Sequence, residues 1–112
     1  MNGIGLLKAY HRAYRRALEI HHKWADGDID TLLRKASDLS ELIKPLADEA
    51  GPDWGRSKHL QRHLKCVVRF LKDNDKDSAH SDINDLIYAD LPGLCDELLK
   101  IAEKSINFQL KI

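Results

Sequence analysis

The stretch RSKHLQRHLKCVVRFLK, residues 56–72, decides the fold. Leu60, Leu64, Val67 and Leu71 recur at three- and four-residue steps, which places them on one stripe of an α-helix, with Val68 and Phe70 at its flanks. Lys58, Arg62, Lys65, Arg69 and Lys72 fall within a sector of about 80° that points away from this stripe. The run holds six Lys or Arg and no acid. Arg56, His59, His63 and Cys66 lie on the seam between the apolar and basic faces. A helix this short is marginal alone and needs other apolar stripes to pack against.

The rest of the chain supplies them. Residues 4–25 carry Leu6, Ala9, Tyr10, Ala13, Ala17, Ile20 and Trp24 on one face. Asp26-Gly27-Asp28 then turns the chain, with Asp28 suited to cap a second helix over residues 29–50. That helix is marked by Leu32, Ala36, Leu39, Ile43, Leu46 and Ala50. Pro45 interrupts its pattern and predicts a kink or a helix in two pieces. Gly51-Pro52 ends it, and Asp53 is placed to cap the helix that opens the run above.

Residues 73–80, DNDKDSAH, are polar turn material, and a fourth helix begins near Ser81. It is interrupted at ADLPGL, where Asp90 has the chemistry of an N-cap and Pro92 suits the first turn of a fresh helix carrying Leu94, Leu98, Ile101 and Ala102. The sequence therefore predicts an all-α protein: an antiparallel up-down bundle of four helices, the second and fourth broken at Pro45 and Pro92, forming one domain over residues 1–112.

The last eight residues, SINFQLKI, read two ways. Ile106, Phe108, Leu110 and Ile112 alternate strictly with Ser105, Asn107, Gln109 and Lys111, the period-two signature of a strand. Ile101, Phe108 and Ile112 also share a helical face. As a strand, the segment needs an edge partner, and Ile106, Phe108, Leu110 and Ile112 become candidate binding residues for another protein or a second copy of the chain.

With 112 residues, 43% of them apolar, the chain can bury a core without staples. No run approaches the ~18 apolar residues of a membrane span. GIGLL, residues 3–7, is too short for a signal-peptide core. Cys66 and Cys95 read as free thiols, so the expected location is cytoplasmic and no membrane partner is expected. Net charge is zero but unevenly spread: +4 over residues 1–25, −5 over 26–53, +6 over 54–72 and −5 over 73–112. If the first and third helices lie on a diagonal, every adjacent pair is basic against acidic, which helps specify the packing. If they lie side by side, a merged basic patch would favour nucleic acid. The basic stripe lacks the interleaved aromatics used to stack bases.

The seam holds the candidate chemistry. His59 and His63 are four residues apart and Cys66 leans the same way, so the three are weak metal-ligand candidates requiring a further group from another helix. No complete metal motif occurs, and neither a metal nor any other cofactor is expected. The acidic runs at Asp26, Asp28 and Asp30 and at Asp73, Asp75 and Asp77 lack the Gly and late Glu of a calcium loop.

HLQRH, residues 59–63, resembles the His-x-x-x-His helix of hemerythrin-like carriers, without their other ligands. The histidine-phosphotransfer bundles are echoed in HLKC without their glycine. RALEIH, with Arg16 and His21, and RSKHLQRH, with Arg56 and His63, resemble the Arg–His spacing of HEPN-type domains, helical bundles that often cut RNA. Seven residues bring Arg56 and His63 within about 20° of one another on a helix. The resemblance implies His63 as general acid or base and Arg56 stabilising phosphoryl charge. Ala17 and Ser57 depart from the polar residue that often follows the family's Arg.

Two functions remain as expectations. The favoured one is a non-enzymatic interaction module, an adaptor or regulatory subunit of a larger assembly. The alternative is an HEPN-like RNA-binding or RNA-cleaving bundle.

Overall fold

Short polar side chains start three of the helices. Asn2 Oδ1 accepts from the Gly5 amide at 2.7 Å, Asp28 Oδ1 from Thr31 at 2.7 Å and Asp75 Oδ1 from Ser78 at 3.1 Å. A computed structural model of the chain describes the backbone of residues 2–110 and the side chains of residues 2–104. It is all-helical over these residues: α1 (Gly3–His22), α2 (Ile29–Ala50), α3 (Ser57–Lys72), α4 (Lys76–Asp85), a π-helical turn (Leu86–Asp90) and α5 (Leu91–Leu110). No helix among the described residues is long and apolar enough to cross a membrane.

Four walls form a bundle, with α4, the π turn and α5 running on as the fourth. α1 packs on α2 and α5, and α3 packs on α2 and α4, so α1 and α3 face one another across the bundle. The core between them includes Leu6, Ile20, Leu32, Ile43, Leu60 and Ile83, each without exposed surface. Tyr10 Oη donates to the Leu91 carbonyl at 2.9 Å. A Cβ on Gly3 would lie 3.2 Å from the Ala102 carbonyl oxygen, so α1 and α5 run in opposite directions with their backbones close at this end. Gly51, at φ 89°, ends α2 in a conformation that favours glycine.

The break at Pro45 is corrected. α2 continues through Pro45. The ring lies on the exposed face, where water can replace the N–H that Pro45 cannot offer to the Glu41 carbonyl, while Leu39, Ile43, Leu46 and Ala47 hold both halves of the helix to one core. The fourth helix starts earlier than the sequence suggests, at Lys76, because Asp75 caps it and Ala79 is already buried. Near Pro92 the helical path stays continuous but changes pitch, and α5 begins at Leu91 with Pro92 in its first turn. In a regular helix the Pro92 ring would strike the Tyr88 carbonyl, and the turn just before it widens, with Leu91 N–H bonding to Leu86 O.

This widening also sets the phase of the apolar stripe. At 100° per residue, buried Leu91, Leu94, Leu98 and Ala102 would point roughly 80° away from Ala79, Ile83, Leu86 and Ile87. One extra residue in the π turn takes back about 100°, and both halves face the same core. Asp90, read from sequence as an N-cap, is instead carried inward and has no exposed surface.

The strand option for the C-terminal segment is also corrected. The backbone of residues 105–110 continues α5. Extending a formed helix avoids the cost of nucleation, whereas a lone strand has nothing to pair with. Ile112 lies outside the described residues.

Candidate functional site

Asp90 is the centre of the site. Its Oδ1 accepts from Arg56 Nε at 3.3 Å and Nη2 at 3.2 Å, and its Oδ2 is hydrogen-bonded to His63 Nδ1. A carboxylate in an apolar core is costly unless it is paired and hydrogen-bonded, and three donors from α3 and its N-terminus meet that need. Arg56 stands at the N-cap position of α3 without capping it, since its side chain is turned toward Asp90. Asp53 does not cap α3 either.

Gly93 makes room for this. A Cβ there would lie 2.9 Å from Arg56 Cδ and 3.5 Å from Trp54 Cζ2, so the Arg56 methylene chain passes directly over the glycine on its way to Asp90.

His63 is the hinge between inside and outside. It is nine-tenths buried, and the bond from Nδ1 to Asp90 turns its other nitrogen toward α4. There Nε2 lies 3.8 Å from Asp85 Oδ2. His63, Asp82 and Asp85 each place a ligating atom within 4.8 Å of the other two. The Asp82 carboxyl is held above the ordinary carboxylate range, chiefly by burial and further by the Asp85 charge, with His63 and Arg62 opposing.

The residues proposed from sequence separate into those brought together and those kept apart. Arg56 and His63 do converge, as their spacing implies, but on Asp90. His59 lies beside His63, with ring centroids 6.5 Å apart, while its Nδ1 meets Arg62 Nη2 at 3.3 Å. Cys66 faces a groove with Lys58, Gln61 and Arg62, and the His63 nitrogens address Asp90 and Asp85 instead. Ile106, Phe108 and Leu110 sit on the backbone of α5. Arg16 pairs with Glu19 at 3.1 Å.

The basic stripe is exposed along its length. Among the described residues, Lys58, Lys65, Arg69 and Lys72 make no ion pair with an acid, and Arg62 bonds only to His59. Although α1 and α3 lie across the bundle, α3's charges are not neutralised by direct pairs with its acidic neighbours. Beside the stripe runs a furrow between α2 and α3, in two stretches of about 400 and 620 Å³ that share Ser40, Leu64 and Lys65. Leu64 and Val68 are half-buried on its floor; Lys65, Arg69 and Lys72 stand at its rim.

Sequence reasoning missed the acidic half of the site. The available signal was Asp90 itself, an acid on the same helical face as Ile83, Leu86, Ile87 and Leu94. Nor does any sequence pattern announce that the His21 and His80 rings stack at 5.8 Å, with Trp24 at 5.5 Å from His80 and Tyr88 edge-on to His21 at 6.4 Å.

No protein-family profile, curated protein or solved structure compared with this chain matches it.

Proposed function

We propose that this chain is a non-enzymatic helical interaction module, an antiparallel up-down bundle serving as an adaptor or regulatory subunit. Its α2–α3 furrow takes an acidic amphipathic helix of a protein partner. The observation that carries this reading is the furrow's make-up: a half-buried apolar floor at Leu64 and Val68 beside basic side chains that pair with no acid among the described residues. Apolar anchors on one face of a partner helix would rest on that floor, with its acidic flank against Lys65, Arg69 and Lys72. Unpaired rim charges accelerate association with such a partner and make it sensitive to salt.

The RNA reading has less support. Arg56 and His63 are brought together, but Asp90 takes the Nε and Nη2 donors of Arg56 and offsets its charge, which weakens any hold on a phosphate. The stripe offers phosphate contacts without stacking aromatics.

The test is affinity capture from the native host by the wild-type chain and by a Lys65→Glu, Arg69→Glu, Lys72→Glu variant, with helicity checked by circular dichroism. A protein partner held by the wild type, released by moderate salt and lost in the variant is the expected result. Recovery of RNA instead, or a partner retained equally by the charge-reversed chain, would overturn the proposal.

A further inference from the structure

We propose that His63, Asp82 and Asp85 form a binding site for a divalent transition-metal ion of the zinc class, with Asp90 as the orienting carboxylate behind the histidine. This goes beyond the docking function above and does not depend on it.

A buried carboxylate bonded to one imidazole nitrogen fixes the proton on Nδ1 and leaves the Nε2 lone pair as the outward face of the ring. Metal-bound histidines are held in the same way, the carboxylate setting both the tautomer and the ring plane. In this chain Arg56 in turn pins the carboxylate, donating to Asp90 Oδ1 from Nε and Nη2. The imidazole is therefore oriented in advance by two layers of support, on a helix, and has little freedom to turn away.

What the outward nitrogen faces is the second observation. Among the described residues Nε2 has no hydrogen-bond partner; the nearest carboxylate oxygen, Asp85 Oδ2, is 3.8 Å away. Three acceptors, one nitrogen and two carboxylates, have ligating atoms within 4.8 Å of one another. Lone pairs gathered in this way repel unless a positive charge lies among them. The candidates are a proton on Nε2 or a cation in the middle. Metal–ligand bonds of about 2.0–2.2 Å bring neighbouring ligand atoms closer than these are, so the site must tighten on binding. Asp85 can supply that movement, because its side chain is 60% exposed while His63 and Asp90 are fixed. Asp82 and Asp85 are three residues apart on α4 and share one helical face, so a small change of rotamer closes the set.

One imidazole and two carboxylates suit zinc, cobalt or manganese better than calcium or magnesium, which take oxygen donors alone. Three protein ligands also leave a coordination position open, unlike the closed four-ligand sites that only hold folds together. Bound here, the ion would join α3 to α4 and offer that position to water or to a carboxylate of a partner.

The experiment uses the full chain freed of metal with a chelator. Zn²⁺ binding is followed by calorimetry, Co²⁺ binding by its visible absorption, and the state of His63 Nε2 by long-range proton–nitrogen NMR. Expected are one ion per chain, loss of the free Nε2 signal from His63, and an affinity at least about 10-fold weaker in Asp85→Asn and in Asp82→Asn. Asp85 is largely exposed, so its substitution leaves the fold intact for the comparison. His59→Gln and His22→Gln should bind as the wild type does.

A His63 protonated on Nε2 and unmoved by millimolar Zn²⁺ would show that a proton fills the role, and would overturn the proposal. So would binding that survives both aspartate substitutions or disappears with His59 or His22.

Discussion

Replacing Asp90 with alanine is the sharpest test of how the bundle holds its fourth wall. The carboxylate has no exposed surface and receives Arg56 Nε, Arg56 Nη2 and His63 Nδ1. In Asp90→Ala the two partners fare differently. His63 is nine-tenths buried, and a donor left without an acceptor there costs about 1–3 kcal/mol. The Arg56 side chain is 43% exposed and can turn to water, so its loss is about 0–1 kcal/mol. The sum, roughly 1–4 kcal/mol, lies mostly below the roughly 3–5 kcal/mol typical of a fully buried pair. For a domain near 100 residues this lowers the melting temperature by roughly 4–16 °C. Urea denaturation gives the free energy, and amide exchange should show faster opening of residues 86–91. Asp90→Asn, which keeps an acceptor for Arg56, should fall between the two proteins. A loss in Asp90→Ala below about 0.5 kcal/mol, the scale of an ordinary surface substitution, would refute the idea that this network secures the π turn.

Gly93→Ala should fail to give the gain of about 1 kcal/mol that alanine normally brings to a helix, because its methyl group displaces Arg56 from Asp90. A double-mutant cycle with Arg56→Ala should show coupling above roughly 0.5 kcal/mol, and additive effects would count against the contact. Asp82→Asn should stabilise the metal-free protein at neutral pH, because burial and Asp85 raise the folded-state pKa of Asp82. A raised carboxyl pKa makes the charged form the destabilising one, so the wild type should weaken as pH rises from the ordinary aspartate pKa through the raised value. The advantage of the variant should therefore vanish below the ordinary value, and a pH-independent difference in denaturation midpoint would contradict the assignment.

The walls of the bundle were legible because their signal is local. The Leu60–Leu71 stripe on α3 and the Leu32–Leu46 stripe on α2 repeat within a few turns, and burial follows them directly. The Arg56–His63 half of the site was legible for the same reason, since seven residues return to one face of a single helix. Its other half was not, because Asp90 joins them only through tertiary packing and a change of helical pitch. An acid two residues before a proline has the ordinary meaning of a helix start, and only the depth of the core contradicts it here. Pro45 misled in the opposite direction: whether a proline breaks a helix depends on which face it occupies and what holds the flanks. The alternation of residues 105–112 matched two periods at once, and the helix already formed upstream settled residues 105–110.

The π turn also constrains how this chain can vary in length. Substitutions around it can be absorbed one contact at a time, but the loss of one residue between Leu86 and Asp90 would restore a regular helix and rotate everything beyond it by about 100°. The core would then keep either the Ala79–Ile87 surface or the Leu91–Ala102 surface, but not both. Tyr10 would lose its carbonyl partner and Arg56 its carboxylate in the same event. A single inserted residue thus acts as a reading-frame marker for the last third of the fold, tolerant of many side chains and intolerant of a changed count.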